Sequence, residues 1–334
     1  MTTIREVSKI AGVSVATVSR TLSMPDKVSL KTQEKVQSAI AQTNYKPNIL
    51  ARNFRTRKAS TIVVLVPDIA NPFFSRVIRG IEQAAQKLGY AVLLGDTQGL
   101  REREYTYANM VKTSQADGII QLDCHMPFAD KEDARSFPII NICDCMKNTD
   151  IPTIQLDNIS AAKEMTEHLI QLGHQNIGII HGPKDSVNTK DRIIGYKKAI
   201  RKKDLSFDQS IIIEGDYSVK SGSQAAYTLL KPTTPPTAIF CFNDEMAIGA
   251  IHQIKEMGLK VPEDISVAGF DDISFAEFCD PPLTTVSQPA EDFGSRAMSM
   301  IYDVINDNEI GTTNIFLPYK LINRKSTAAI KKDK

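Results

Sequence analysis

The sequence changes character near residue 59, and this change limits the architectures that the chain can adopt. Residues 1–58 carry eleven Lys and Arg against three Asp and Glu, a net charge of +8. The other 276 residues carry 29 against 36, a net charge of −7. The spacing of apolar residues changes at the same place, from short helices to alternating strands and helices. We therefore expect a small basic domain followed by a larger, mildly acidic α/β body.

Three short helices are predicted in the basic segment. Thr3 and Glu6 have the spacing of a capping box at the start of the first helix, and Gly12 is placed to end it. Ser14 is placed to cap a second helix and Ser29 a third. The positions expected to face inward are Ile4, Val7, Ile10 and Ala11, then Val18 and Leu22, then Val36, Ala39 and Ile40.

The short turn between the first two helices is typical of a helix-turn-helix, in which the second helix enters the major groove of DNA. Because Val15 and Ala16 have no side-chain hydrogen-bonding groups, we expect modest base readout and affinity from phosphate contacts and DNA shape. The alternative is a structural bundle with a solvated basic face. The residues expected at the DNA are Val15, Ala16 and Thr17 near base edges, and Ser14, Ser19 and Arg20 near phosphates.

Residues 47–58 are predicted to form a hinge with a short helix from Ile49 to Arg55. Apolar residues interleaved with arginines suit insertion into the minor groove, with Phe54 the first candidate wedge and Leu50 the second. So short a helix is marginal on its own, so we expect it to form on DNA or against a second subunit. The alternative is a flexible basic linker. The expected hinge contacts are Asn48, Leu50, Arg52, Phe54 and Arg55.

Strand-like apolar runs alternate with segments of helical spacing throughout the acidic body. This βα repetition predicts parallel sheets covered by helices on both faces. Ligands in such folds bind beyond the carboxyl ends of the strands. The loops expected to line a cleft are therefore Pro67–Phe74, Gly95–Gln98, Asp123–Met126, His181–Arg192, Asn243–Asp244 and Phe270–Ser274.

Composition argues against several other classes of protein. No apolar run approaches the ~18 residues of a membrane span, and charges occupy the first residues where a signal peptide needs apolar ones, so we expect a cytoplasmic protein. The closest cysteine pair, Cys143 and Cys145, lacks CxxC spacing, and buried thiols are the simpler interpretation. The five histidines lie in separate elements. We expect no metal ion, no cofactor and no catalytic residue.

Several motifs together resemble the lac-repressor family of bacterial transcription regulators, and the resemblance extends through the body. The head motifs are Ala11-Gly12-Val13-Ser14, Thr17-Val18-Ser19-Arg20, Val28-Ser29, Tyr45-Lys46-Pro47-Asn48 and Ala51-Arg52. A narrower likeness, to one branch of the family, rests on three body segments: Pro67-Asp68-Ile69, Pro72-Phe73-Phe74-Ser75 and the run from Phe278 to Thr285. Several family members have Leu where this chain has Phe54, so the preferred central base pair is expected to differ.

The resemblance implies a domain organisation. A helix-turn-helix head (1–46) and a hinge (47–58) would precede a two-lobed body (59–334) with the fold of periplasmic binding proteins. The chain would cross between the lobes near 157–159, 288–290 and 319–321. The implied subdomains are about 60–157 with 289–319, and about 158–288 with 320–330.

The resemblance also implies an effector site in the cleft. It places Arg192 at the family's effector-clamping position and Asp271 at its sugar-hydroxyl position, although the two could instead form a salt bridge. The adjacent rings of Phe73 and Phe74 could stack on a planar base or fasten a helix to the core. Two further candidates, Asn243 and Asp244, could line the cleft or cap the next helix.

At two positions this chain departs from the family, and these departures narrow the choice of effector. Purine-binding relatives have an arginine where this chain has Ser186, and a threonine where it has Asn188. Ser and Asn suit a neutral, hydroxyl-rich ligand such as a pyrimidine nucleoside. A purine or sugar effector of opposite sign is the alternative.

The resemblance implies a homodimeric repressor of double-stranded DNA that a nucleoside inducer releases. Weak base readout also leaves room for a neighbouring DNA-bound activator. The opposite effector sign is physically as simple. The rivals from other classes are a nucleoside- or sugar-processing enzyme that uses strand-end carboxylates and a ligand-independent architectural DNA binder.

Overall fold

Two units make up the chain in the computed structural model, Met1–Ala59 and Ser60–Lys334. The structure describes residues 3–45, 58–128 and 136–330. The predicted hinge contacts Asn48, Leu50, Arg52, Phe54 and Arg55 therefore lie outside the described residues.

The head consists of the three predicted helices, α1 (Ile4–Ala11), α2 (Val15–Ser23) and α3 (Leu30–Thr43). Gly12 ends α1 in the left-handed region at φ 65°, which glycine adopts without a steric penalty. The Ser14 hydroxyl caps α2 by accepting a hydrogen bond from the Thr17 backbone N at 3.1 Å. At the start of α1, the Thr3 backbone N donates to Glu6 Oε2 at 2.9 Å.

The core of the head differs from the predicted one at two positions. Val7, Val18 and Val36 are fully buried as expected, but Leu22 is 40% exposed and Ile10 is 52% exposed. Thr21 is buried in place of Leu22. Its hydroxyl donates to the Thr17 carbonyl at 2.9 Å, so its only side-chain polar group is satisfied inside the bundle.

The first lobe of the body is a six-stranded parallel sheet with strand order β11-β5-β4-β3-β1-β2. Side chains of β1 alternate between two cores, with Ile62 and Val64 in one and Val63 and Leu65 in the other. The strands are β1 (Thr61–Val66), β2 (Ala91–Asp96), β3 (Gly118–Gln121), β4 (Ile139–Ile142), β5 (Thr153–Leu156) and β11 (Asn314–Leu317). The helices are α4 (Pro72–Leu88), α5 (Arg101–Lys112) and α10 (Ala290–Ile305).

The second lobe is a four-stranded parallel sheet with strand order β7-β6-β8-β9. Its strands are β6 (Ile177–His181), β7 (Ile212–Glu214), β8 (Ala238–Cys241) and β9 (Ser266–Ala268). Its helices are α6 (Asn158–Gln171), α7 (Val187–Lys202), α8 (Val219–Leu229) and α9 (Asp244–Glu256). Both lobes therefore have the parallel sheets that the βα repetition predicts.

The connection between the lobes contains the one departure from parallel pairing among the described strands. β10 (Thr285–Ser287) and β12 (Lys320–Ile322) pair antiparallel. Parallel pairing is not required there, because the two segments carry the chain between the lobes in opposite directions. β10 leads from the second lobe into α10, and β12 follows β11 out of the first lobe.

The cysteines and the helix lengths agree with what the composition predicts. All five cysteines are free, and Cys143, Cys145 and Cys241 are buried, as the apolar strands around them predict. Within the described ranges, no helix has the length and hydropathy to cross a membrane.

Glycines allow α4 and α10 to approach closely. A Cβ added at Gly294 would lie 2.1 Å from the Val77 carbonyl oxygen, and one at Gly80 would lie 2.2 Å from that of Glu291. These neighbours are backbone atoms of the facing helix, so they cannot move aside without separating the pair.

We predict that Gly294→Ala lowers the free energy of unfolding by about 1–3 kcal/mol, because the added methyl group forces α4 and α10 apart. Urea denaturation followed by circular dichroism measures the change. Gly311→Ala is the matched control, since a Cβ there meets nothing within 4 Å. Equal effects of the two substitutions would show that the helix crossing is not the sensitive point.

Candidate ligand-binding site

A cavity of about 450 Å³ lies between the two lobes, where the carboxyl ends of the strands in both sheets face each other. This is the position at which doubly wound folds bind ligands, and the volume lies in the usual range of about 300–1,000 Å³. All six predicted loops contribute lining residues. Seven of the eight predicted effector residues line the cavity: Phe73, Phe74, Ser186, Asn188, Arg192, Asn243 and Asp271.

Asp244 is the exception, and its expected place in the cleft needs correction. It is fully buried and does not line the cavity. Its Oδ1 accepts a hydrogen bond from the Thr285 hydroxyl at 2.6 Å, and its Oδ2 accepts one from the Ile273 backbone N at 2.8 Å. As the first residue of α9 it turns toward β10, where it ties together segments of the second lobe.

The guanidinium of Arg192 is held rigidly by the second lobe. It lies over the Phe270 ring, with Cζ 3.5 Å from the ring centroid. Its Nε donates to Asn158 Oδ1 at 2.8 Å, and Nη1 donates to the Phe242 carbonyl. Arg192 is 4% exposed. These contacts fix the planar group in one orientation at the wall of the cavity.

Asp271 lies three residues after the end of β9 and has a positive φ of 110°. Its Oδ1 accepts a hydrogen bond from Gln288 Nε2 at 2.7 Å. Asp271 and Arg192 are both described, and they form no ion pair. Burial raises the pKa of Asp271 to about 7, although Arg192 and Gln288 oppose the change. The carboxyl group therefore exists in both protonation states near pH 7, and it lines the cavity.

The start of α7 joins several polar side chains. Ser186 caps the helix by accepting from the Thr189 backbone N at 3.1 Å. The Tyr217 hydroxyl lies 3.0 Å from the Thr189 hydroxyl and 3.4 Å from that of Ser186. Asn188 Oδ1 accepts from Asn158 Nδ2 at 2.8 Å. Ser186 and Asn188, both predicted from the sequence, are thus hydrogen-bonded to Tyr217 and Asn158, which the sequence analysis did not name.

The two rings at the start of α4 have different surroundings. Phe73 is buried and packs edge-on against Phe293, with ring centroids 6.5 Å apart. Phe74 is partly buried and also borders the cavity. Phe73 therefore fastens the helix to the core, and Phe74 presents the more accessible ring to a ligand.

Asn243 combines the two roles that the sequence left open. Its Oδ1 accepts a hydrogen bond from the Met246 backbone N at 3.0 Å, which caps α9. Its Nδ2 donates to the Tyr217 carbonyl at 2.8 Å, and the residue borders the cavity.

Hydrogen bonds and an ion pair join the lobes across the cavity. Asn71 Nδ2 donates to Glu245 Oε2 at 2.9 Å, and the Asn188 backbone N donates to Asp144 Oδ1 at 3.0 Å. Lys147 Nζ lies 2.6 Å from Asp191 Oδ1. Such contacts stabilise one angle between the lobes, and a ligand that changes them can shift that angle.

The lining of the cavity is strongly acidic. Among the described lining residues, Arg192 is the only Lys or Arg, whereas seven are Asp or Glu. Burial raises the pKa of Asp144 to about 6, and burial with the charge of Asp68 raises that of Glu245 to about 6. The acidic residues are Asp68, Asp123, Asp144, Asp185, Asp216, Glu245 and Asp271.

Several lining residues were not among the candidates from the sequence. Asp144, Tyr217 and Gln288 follow β4, β7 and β10, so their position directly after a strand was an available signal. The β7 run is only three residues long, and the sequence analysis did not identify β10 as a strand.

The predicted DNA-contacting residues of the head lie at the first turns of α2. Val15, Ala16 and Arg20 are exposed. The hydroxyls of Ser14 and Thr17 lie 2.9 Å apart, and the Ser14 hydroxyl also accepts the capping hydrogen bond from the Thr17 backbone N. The head therefore presents apolar side chains at the N-terminal end of α2 and a cation one turn later.

Family models match both units of the chain. The model of bacterial regulatory proteins of the lacI family matches residues 3–48. The model of periplasmic binding proteins and the sugar binding domain of the LacI family matches residues 59–325.

Individual relatives match over nearly the whole length. The HTH-type transcriptional repressor CytR of Escherichia coli K12 is 40% identical over 330 residues, covering 98% of this chain and 97% of that protein. The HTH-type transcriptional repressor PurR of Vibrio atlanticus is 35% identical over 92% of this chain and 93% of its own length. A structure of the lac repressor dimer bound to operator and an anti-inducer superposes with a TM-score of 0.87 and 31% identity, covering 98% and 99% of the two chains.

We predict that Asp271→Asn stabilises the protein at pH 8 and has little effect near pH 4. The unfolded carboxyl group loses its proton near pH 4, but the folded one keeps it up to about pH 7. Stability from this group is therefore lost as the pH rises from 4 to 7 and stays lost above that range. An amide avoids this loss, and Asn tolerates a positive φ.

Thermal melts at pH 4.5 and pH 8 measure the difference in Tm between variant and parent. Asp292→Asn is the control, because Asp292 is exposed. A Tm difference of the same size at both pH values would contradict a raised pKa at Asp271.

Proposed function

The chain belongs to the lacI family of bacterial regulatory proteins and is a DNA-binding transcriptional repressor with a ligand-binding body; we propose that its effector is a pyrimidine nucleoside, cytidine, which acts as an inducer. The chain would bind operator DNA as a homodimer in the cytoplasm. The similarity to CytR over 98% of the chain supports this choice.

The charge of the cavity is the observation that carries the proposal. Seven carboxyl groups and one guanidinium line the cavity, so a phosphorylated ligand would bring further negative charge into a partly desolvated acidic cavity. A neutral ligand rich in hydroxyl and amino donors instead meets a wall of acceptors. A nucleoside has these properties, and a nucleotide does not.

The shape and chemistry of the wall suit the two halves of a nucleoside. The partly buried ring of Phe74 offers a face on which a base can stack. The carboxyl group of Asp271 offers acceptors for ribose hydroxyls, and Gln288 holds it in position. Arg192, fixed on Phe270, can donate to a base carbonyl oxygen or a ribose oxygen from one orientation.

The contacts across the cleft provide a mechanism for induction. A ligand that lies between Asn71–Glu245 and Asn188–Asp144 changes the balance between the angles that the lobes adopt. It can do so only through unequal affinity for the two arrangements, and a nearly complete switch needs about 10⁴-fold preference. The predicted result is a change in how the two heads are presented to a palindromic operator.

Dimerisation through the second lobe is part of the proposal. Phe275 and Phe278, in the loop after β9, are 62% and 82% exposed. Two large apolar side chains so strongly exposed within four residues suit a surface that a partner covers. The solved lac repressor relative is a dimer on its operator, which supports the same assembly here.

The ligand titrations described below also test the alternative effectors. A purine nucleoside or a sugar, acting as a corepressor, would require the opposite sign of response. The relatives named above are transcriptional regulators, which supports a regulatory body rather than a catalytic one. Since α2 presents apolar residues to the bases, a neighbouring DNA-bound activator would add specificity.

We predict that cytidine raises the Tm of the protein and that cytidine 5′-monophosphate does not at the same concentration. Calorimetric titration with cytidine, uridine, adenosine, ribose and the monophosphate measures the affinities. At pH 8, where the Asp271 carboxyl group is mostly ionised, Asp271→Asn should weaken cytidine binding by about 10–100-fold, because a charge-assisted hydrogen bond is lost. Asp292→Asn should bind as the parent does.

Tighter binding of the monophosphate than of cytidine would overturn the electrostatic argument. A response to adenosine or ribose alone would replace the proposed effector. Any release of free base during these titrations would favour the enzymatic alternative.

We predict that Arg20→Ala weakens binding to duplexes selected from a random library and lowers the salt slope of log K by about 1, because one phosphate contact is lost. Fluorescence anisotropy between about 50 and 200 mM salt measures both quantities, because the affinity of such complexes falls steeply over this range. Lys260→Ala, an exposed cation of the body, is the control. An unchanged slope would remove Arg20 from the phosphate contacts.

A further inference from the structure

A second group of polar side chains lines one end of the same cavity, and Asp123 is its only member among the seven acidic lining residues named above. Asp123, Cys124 and His125 follow β3, and their ligand atoms lie within 4.8 Å of one another. Neighbouring residues of an extended strand point to opposite sides. Here the chain bends at 123–125, and the bend brings three consecutive side chains together.

Glu104 of α5 supplies an independent observation. Its side chain has 0% exposure, and neither carboxyl oxygen has a hydrogen-bond partner among the described residues. Its Oε1 lies 3.7 Å from His125 Nδ1. The nearest cation on the other side is Arg101, whose Nη1 lies 3.9 Å from Oε2 and whose side chain is half exposed. A buried carboxyl group without hydrogen bonds is costly, so this arrangement favours a bound cation.

The distances suit a metal better than direct hydrogen bonds. His125 Nδ1 lies 3.5 Å from Asp123 Oδ2 and 3.7 Å from Glu104 Oε1, and it makes no hydrogen bond to either in the described part of the chain. Nitrogen and oxygen ligands lie about 2.0–2.2 Å from zinc and thiolate sulfur about 2.3 Å, which places neighbouring ligand atoms about 3.3–3.7 Å apart in a tetrahedron. The separations of His125 Nδ1 from Asp123 Oδ2 and from Glu104 Oε1 are close to this spacing.

We propose that Glu104, Asp123, Cys124 and His125 form a binding site for Zn²⁺ at the rim of the interlobe cavity. One sulfur, one nitrogen and two carboxylate donors match the preferences of Zn²⁺, whereas Mg²⁺ and Ca²⁺ prefer oxygen alone. From the sequence we expect no metal ion, because the five histidines lie in separate elements. The site becomes visible only in the fold, which brings α5 against the loop after β3. It does not depend on the identity of the effector.

The test uses the full chain, stripped with a chelator and titrated with Co²⁺ as a spectroscopic substitute for Zn²⁺, without nucleoside. We expect one equivalent of Co²⁺ and a thiolate-to-cobalt charge-transfer band, which excess Zn²⁺ removes. Mass spectrometry of the metal after gel filtration should find one equivalent of Zn²⁺. Cys124→Ser should lose the charge-transfer band, and Cys279→Ser, a partly buried thiol elsewhere, should keep it.

Two further variants separate loss of metal binding from loss of the fold. Glu104→Gln should weaken Co²⁺ binding by about 10–100-fold, and His125→Ala, at a partly exposed position, should abolish stoichiometric binding. Circular dichroism confirms the fold of each, and His252→Ala is the matched control at an exposed histidine. Less than a tenth of an equivalent bound to the parent, or a band that survives in Cys124→Ser, would overturn the site.

Discussion

The carboxyl ends of two parallel sheets face each other, and this arrangement gathers carboxyl groups around the guanidinium of Arg192. Strand ends in each lobe supply acidic side chains to one cavity of about 450 Å³. Burial makes their ionisation costly and raises the pKa of Asp271, Asp144 and Glu245. The fold thus creates a cavity rich in carboxyl groups that can accept hydrogen bonds, and the proposed preference for an uncharged effector rests on this property.

The same geometry connects ligand binding to a movement of the lobes. Arg192 and Asp271 are anchored within the second lobe, whereas Asn71 and Asp144 reach across from the first. A ligand that contacts both groups interacts with both lobes at once. Its binding energy can therefore bias the angle between the lobes, provided that its affinity differs between the two arrangements.

Much of this could be read from residue patterns. The caps at Gly12 and Ser14 were predictable because they depend on local backbone chemistry within a few residues. The parallel sheets followed from the alternation of apolar runs with helical segments. Which side chains of the head are buried was less predictable. Thr21 is buried where Leu22 was expected, and its hydroxyl donates to the backbone of its own helix. Spacing alone cannot weigh such a local bond against a larger apolar side chain.

The sequence by itself determined the two-part organisation, the helix-turn-helix spacing, the βα architecture and most of the loops at the cavity, because these depend on period, caps and charge along the chain. Only the tertiary structure decided which side chains meet. Asp244 turns away toward Thr285, Asp144 meets Asn188 from the opposite lobe, and Glu104 comes against His125. Contacts between residues far apart in the chain depend on sheet order and helix packing, and linear spacing does not contain that information.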